Sequence, residues 1–226
     1  MKTRIVVGSR ESEDAFFSNT ALGRSMTYGR GVFGELRLFA NNKKGLPEIY
    51  NEAILECRSD PALLIFVHDD VHILDYYWCN RVLEGLNTFD VVGVAGNVRR
   101  LPRQPSWVFV DTRWTWDKFE HLSGAVGHGS AFPPSILSVF GAPRQKVKLL
   151  DGFLLGCHSE MLLSNNIFFD DRFDFHFYDL DFCRQLEDKG LSCGTWDLSL
   201  VHESVGSFGS AQWHRAYESY LEKWGD

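Results

Sequence analysis

Apolar residues in this chain gather in short runs set between polar loops. Ile5-Val6-Val7, Leu63-Leu64-Ile65-Phe66-Val67 and Val91 to Ala95 are continuous rather than alternating, the pattern of strands covered on both faces, and Gly34 to Ala40 reads as the second strand. Between them Ser12-Glu13-Asp14-Ala15-Phe16-Phe17 puts cap-type residues ahead of an apolar start, as a helix N-terminus does. Leu46-Pro47 opens a second helix with Ile49, Ala53 and Ile54 on one face, and Tyr76 to Leu86 reads as a third. Strand and helix alternating at short intervals predict an α/β fold with a mostly parallel central sheet flanked by helices.

The pattern changes near residue 98. Residues 99–135 carry Arg, Pro and Trp with little periodicity, and a long irregular stretch inside a compact domain is more often functional than not. Ile136–Phe140 and Gln145–Leu150, parted by Gly141-Ala142-Pro143-Arg144, predict a small antiparallel hairpin. An apolar strand over Leu149–His158 carries Asp151 near its start, and Phe177–Gly190 forms a helix stopped by Gly190. A last strand ends at His202, and Gln212–Trp224 makes a closing helix.

Candidate chemistry lies where strands stop. The Leu63–Val67 run ends in His68-Asp69-Asp70-Val71-His72, and the ligand crevice of an open α/β sheet lies beyond the carboxyl ends of its strands. Asp70 is the primary cation ligand, with Asp69 beside it for a ribose or a bound water. On an extended chain alternate residues share a side, so His72 joins Asp70 in an Asp-x-His chelate suited to Mn²⁺, with Mg²⁺ as the alternative. The same residues could instead cap a turn. Gly8-Ser9-Arg10 after the first strand offers a resting place for a nucleotide, and Asn41 to Lys44 closes the second strand. Asp151 and Gly152 fit either acceptor binding or ordinary turn chemistry. Trp107, Trp114 and Trp116 suit a stacking platform or a loop anchor. Arg99, Arg100 and Arg103 suit an anionic acceptor or a solvated basic loop.

Composition narrows the partners. The 226 residues are 44% hydrophobic and 14% aromatic, enough for a core in one large domain. A formal charge of −7 argues against nucleic acid as partner. No apolar run approaches a membrane span, and five cysteines without CxxC spacing suggest a reduced, cytoplasmic protein.

Four segments together resemble the family-2-type glycosyltransferases of the GT-A fold. They are Asn42-Lys43-Lys44-Gly45-Leu46 with Tyr50-Asn51, Phe66 to Val71 as the acidic metal motif, Asp151 to Cys157, and Phe177-Tyr178-Asp179-Leu180-Asp181-Phe182-Cys183-Arg184 followed by Gly190 and His202. The resemblance implies a single domain with a nucleotide-sugar half (1–98) and an acceptor and catalytic half (99–226). It also implies metal-dependent, inverting transfer of one sugar from a nucleotide-diphosphate sugar to a glycan or other hydroxyl. On it, Asp179 is the general base, Asp181 a lesser substrate-binding carboxylate, Lys44 and Asn41 belong to the donor side, and His202 completes the metal shell. The sequence departs from the family at Gly8-Ser9-Arg10-Glu11, which replaces the usual first-strand motif, and lacks the QxxRW of processive synthases. A non-catalytic relative that binds glycan or nucleotide, and a sugar nucleotidyltransferase, are the alternatives.

Overall fold

The computed structural model describes residues 2–29, 33–130, 133–204 and 206–225. Its first half alternates as the apolar runs predict: β1 (Lys2–Gly8), α1 (Glu13–Asn19), α2 (Ala21–Tyr28), β2 (Glu35–Phe39), α3 (Leu46–Glu56), β3 (Ala62–Val67), β4 (Val71–Ile73), α4 (Trp78–Leu86), β5 (Val91–Gly93) and β6 (Ala95–Asn97). A single 3-10 turn then leads into β7 (Leu122–His128), β8 (Ile136–Gly141), β9 (Lys146–Val147), β10 (Leu149–Leu150), β11 (Leu154–His158) and α5 (Ser159–Ser164). The chain ends with α6 (Tyr178–Asp188), β12 (Cys193–Thr195), β13 (Leu200–His202) and α7 (Ala211–Trp224).

Two sheets share the core. The larger runs in the order β2-β1-β3-β11-β5-β12-β9, with β11 and β9 antiparallel to the rest. Every residue of β3 is buried, which is why that run carries no polar residue until it leaves the sheet. The smaller runs β10-β6-β7-β13-β4, with β8 on the other edge of β7. At several places the chain passes directly from one sheet to the other. The Leu63–Val67 run is β3 and its polar end leads into β4, Val91–Ala95 spans β5 and the start of β6, and Leu149–His158 becomes β10 and β11. The turns where the chain crosses between sheets bring His68-Asp69-Asp70 and Asp151-Gly152 to one region.

The antiparallel hairpin lies elsewhere, because the arms read over Ile136–Phe140 and Gln145–Leu150 do not pair with each other. β8 pairs with β7, inside the stretch predicted to be irregular, while Lys146–Val147 joins β12 and Leu149–Leu150 joins β6. The remainder of 99–121 is held by side chains: Arg99 closes on Asp117 through Nε at 2.9 Å, and the buried Asn97 amide donates to Asp117 at 2.9 Å and to the Trp107 carbonyl at 2.9 Å. Helix starts follow local chemistry, with Ser12, Thr20 and Ser210 accepting from backbone N–H groups at α1, α2 and α7. Among the described residues no helix is long and apolar enough to cross a membrane.

Candidate active site

Past Val67 the chain leaves the larger sheet in a turn pinned by backbone hydrogen bonds: His68 N–H to the Phe153 carbonyl (2.9 Å), Leu22 N–H to Asp69 (3.0 Å) and Glu203 N–H to Asp70 (2.9 Å). His202 arrives from β13, directly opposite Val71 on β4. Ligand atoms of His68, Asp70 and His202 all lie within 4.8 Å of one another. His202 Nε2 is 3.2 Å from Asp70 Oδ1 and His68 Nδ1 is 3.9 Å from it. Both Asp70 Oδ1 and His202 Nε2 are buried without a well-directed hydrogen bond, an arrangement that could accept a cation.

The state of His68 suits a ligand. Tyr178 Oη donates to the Gly152 carbonyl at 2.8 Å and lies 2.8 Å from His68 Nε2. With the tyrosine proton committed to that carbonyl, Nε2 must carry the imidazole hydrogen, which leaves the lone pair on Nδ1 facing Asp70. Burial, outweighing the pull of Asp70, takes the His68 pKa down to about 4, so the ring is neutral. Burial alone would raise the Asp70 carboxyl. His202 and His68 outweigh it and hold the group below the ordinary carboxylate range. Phe175 stacks on His68 at 5.6 Å and Phe153 lies against His202 at 4.8 Å, shielding both rings. Two imidazoles and one carboxylate fit a divalent ion of the Mn²⁺ class, and these three residues would hold it.

His72 does not join them. On antiparallel β4 and β13 it pairs with Val201, one residue out of step with the Val71–His202 pair, and so lies on the opposite face. Its pKa is lowered first by burial and then by Arg24. His68, which sequence reasoning passed over, takes the place given to His72. Asp181 is also misassigned. It is fully buried 2.6 Å from Lys223 Nζ and accepts from Trp224 Nε1 at 2.9 Å, a core ion pair that lines neither cavity.

Two cavities meet at this cluster. The larger, 740 Å³, is bounded by Gly8, Ser9, Arg10, Lys44, Asp69 and Asp70 among others. Ser9 Oγ donates to Asp69 Oδ2 at 2.6 Å, while burial pushes the Asp69 carboxyl up. Lys44 reaches this wall paired with Glu48 at 2.8 Å. Asn41 turns outward instead, exposed at φ 51°, and its neighbour Asn42 lines the cavity. Asn51 braces the far side by exchanging hydrogen bonds with the Phe169 backbone, both at 2.8 Å.

The smaller cavity, 360 Å³, contains Asp151, Gly152 and Asp179 and shares His68 and Asp70 with the first. Gly152 N–H donates to Asp179 Oδ2 at 3.1 Å and Leu180 N–H to Oδ1 at 2.9 Å. Burial, reinforced by Asp151, still raises the Asp179 pKa to about 7. A Cβ on residue 152 would sit 2.4 Å from Tyr178 Oη, so only glycine fits. Gly152 therefore bonds through its carbonyl to the tyrosine that orients His68 and through its N–H to Asp179. The helix that presents Asp179 starts at Phe177, held at φ 67° by stacking on Tyr217 at 5.5 Å and contact with Trp213 at 5.2 Å. Trp107 and Trp116 line this cavity, whereas Trp114 packs on Trp213. Arg99, Arg100 and Arg103 do not line it.

A family model described as a glycosyltransferase-like family matches residues 12–205. The chain belongs to that family. The chain shares the GT-A fold of solved glycosyltransferases. It aligns with the catalytic domain of Drosophila β1,4-galactosyltransferase 7, solved with xylobiose, at TM-score 0.51 and 9% identity, covering 95% of this chain and 79% of that one. It aligns with S. aureus TarS at TM-score 0.51 and 11% identity, covering 90% and 37%. The transferase spans 60% of a TarS fragment, residues 1–349, at TM-score 0.48, 11% identity and 90% coverage of this chain. No curated protein matches it by sequence.

Proposed function

We propose that the transferase moves one sugar from a nucleotide-diphosphate sugar to an acceptor hydroxyl with inversion, and that it requires a divalent ion. The observation that supports this most directly is the meeting of the two cavities at His68 and Asp70, with the Asp179 carboxylate on one side only. The donor occupies the larger cavity, against Ser9, Arg10 and Lys44, and the acceptor the smaller. His68, Asp70 and His202 would hold the ion, and the chemistry it would supply is positive charge for the leaving diphosphate.

The chain's own groups do the rest. Asp151 and Asp179 orient the acceptor hydroxyl. Its proton passes to the Asp179 carboxylate as its oxygen bonds to the anomeric carbon. The bond from that carbon to the diphosphate oxygen breaks, and the electron pair leaves with the diphosphate. A base with a pKa of about 7 is matched to this work near neutral pH. One carboxylate placed opposite the leaving group gives single displacement and hence inversion.

Two variants test the roles. Asp70→Ala abolishes Mn²⁺-dependent nucleotide binding by calorimetry. Asp179→Asn keeps that binding and lowers kcat by about 10²- to 10⁴-fold. The opposite pattern refutes the assignment.

A further inference from the structure

The acceptor cavity has a composition that selects among hydroxyl compounds. Its aromatic wall includes Trp107, Phe109, Trp116, Phe140, Phe175 and Phe208, and no lysine or arginine lines it among the described residues. The nearby cations are engaged elsewhere, Arg99 by Asp117 and Arg100 and Lys148 by Glu187. Three carboxylates, Asp70, Asp151 and Asp179, border it. Of the imidazoles there, His68 and His202 both face Asp70, and His128 and His176 complete the set.

Asp151 is fixed rather than free. Trp107 Nε1–H donates to its Oδ2 at 2.7 Å and Phe153 N–H to its Oδ1 at 3.2 Å. A carboxylate accepts about four hydrogen bonds, so about two acceptor sites remain for hydroxyl donors. Trp116 stands at the rim, stacked at 22° and 6.0 Å on Phe140 yet 52% exposed, so much of the indole is uncovered. A flat apolar surface beside an oriented acceptor of hydroxyl protons matches a pyranose, which has an apolar C–H face and a rim of O–H donors.

Resting on the transfer reaction proposed above, we infer that the acceptor is an uncharged saccharide, stacked on Trp116 and hydrogen-bonded to Asp151. A phosphate, sulfate or carboxylate on the acceptor would meet the Asp151 and Asp179 side chains with no lysine or arginine among the described lining residues to pair with it. Asp151 is thus a specificity-determining residue, one that rejects anions as well as binding hydroxyls.

The test is saccharide binding in the absence of donor and metal, so that its failure and that of the transfer reading are separable. The probes are methyl glycosides of glucose, galactose, mannose and xylose, set against glucuronate, galacturonate and glucose 6-phosphate. Binding is read by saturation-transfer NMR and tryptophan fluorescence at pH 8. At least one neutral glycoside is expected to bind about 10-fold or more tightly than every acidic probe. Trp116→Ala weakens the neutral probe by about 10-fold. Asp151→Asn narrows the neutral-over-acidic ratio, and unchanged thermal midpoints show that both variants are folded. Should either lose its fold, competition of acidic against neutral probes on the unmodified protein decides alone. Equal or tighter binding of an acidic probe, no binding of any neutral probe, or an unaltered ratio in folded Asp151→Asn overturns the inference.

Discussion

At the scale of single residues, Asp179 carries the most direct pH signature. Burial and then Asp151 raise its pKa to about 7, and a base must be ionised to act. The rate at saturating substrates is therefore expected to rise with pH through a midpoint near 7 and level off above it. A flat profile from pH 6 to 8 would remove Asp179 from the role. Gly152→Ala would drive a methyl group into Tyr178 Oη and the Asp179 Cβ, and the expected cost is about 1–3 kcal/mol of stability with a fall in kcat larger than the change in KM. Denaturant melts and steady-state kinetics measure both. The residue chemistry was legible where it depended on position along one element. Asp70 follows an apolar strand and Asp179 opens a helix, and both lie at the cavities. Asp181 was misread although a helix gives a warning: residues two apart point roughly 200° from each other, so Asp179 and Asp181 cannot face one site.

At the scale of elements, the crossing of chain segments between sheets decides which residues meet. An extended reading through Asp70 placed His72 beside it. The turn at His68-Asp69-Asp70 ends that alternation, and β4 resumes in another sheet with His72 on its far face. The spacing of His68 and Asp70 carried the same alternate-residue signal upstream of the turn. Tyr178 ties this turn to α6, so Tyr178→Phe is expected to weaken Mn²⁺ affinity by about 10- to 100-fold by freeing the His68 tautomer. Mn²⁺ paramagnetic resonance titration checks it. A second element-scale prediction concerns the segment before β7. Burial would raise the Asp117 carboxyl, but Arg99 and Asn97 hold it down at about 2. Such a depressed group stabilises the fold above its unfolded value of about 3.9, and that stability is lost as pH falls towards 2. Asp117→Asn should lower the melting temperature at pH 7 and flatten its decline between pH 4 and 2. No sequence pattern foretold this clasp, because it joins a strand end to a loop through side chains alone.

For the whole molecule, the alternating first half was readable because the central strands of the larger sheet, β3 above all, are buried on both faces and announce themselves by apolar continuity. The second half was not, because β7 is rich in Gly, Ser and His and its strand character comes from pairing with β6, β8 and β13 rather than from propensity. The hairpin of the smaller sheet and the α7 aromatic face are long-range features of this kind, and together they wall the acceptor cavity. On the proposed reading the larger sheet supplies the donor loops, so the two sheets would divide the substrates and the chain crossings between them would hold the groups that act on both. The claim at the centre of this arrangement is that His68, Asp70 and His202 form a cation site. Direct titration of the protein with Mn²⁺, followed by paramagnetic resonance, tests it: one site per chain is predicted, lost in Asp70→Ala and retained in His72→Ala. Absence of a site in the unmodified protein, or a site that survives Asp70→Ala and disappears in His72→Ala, would contradict it.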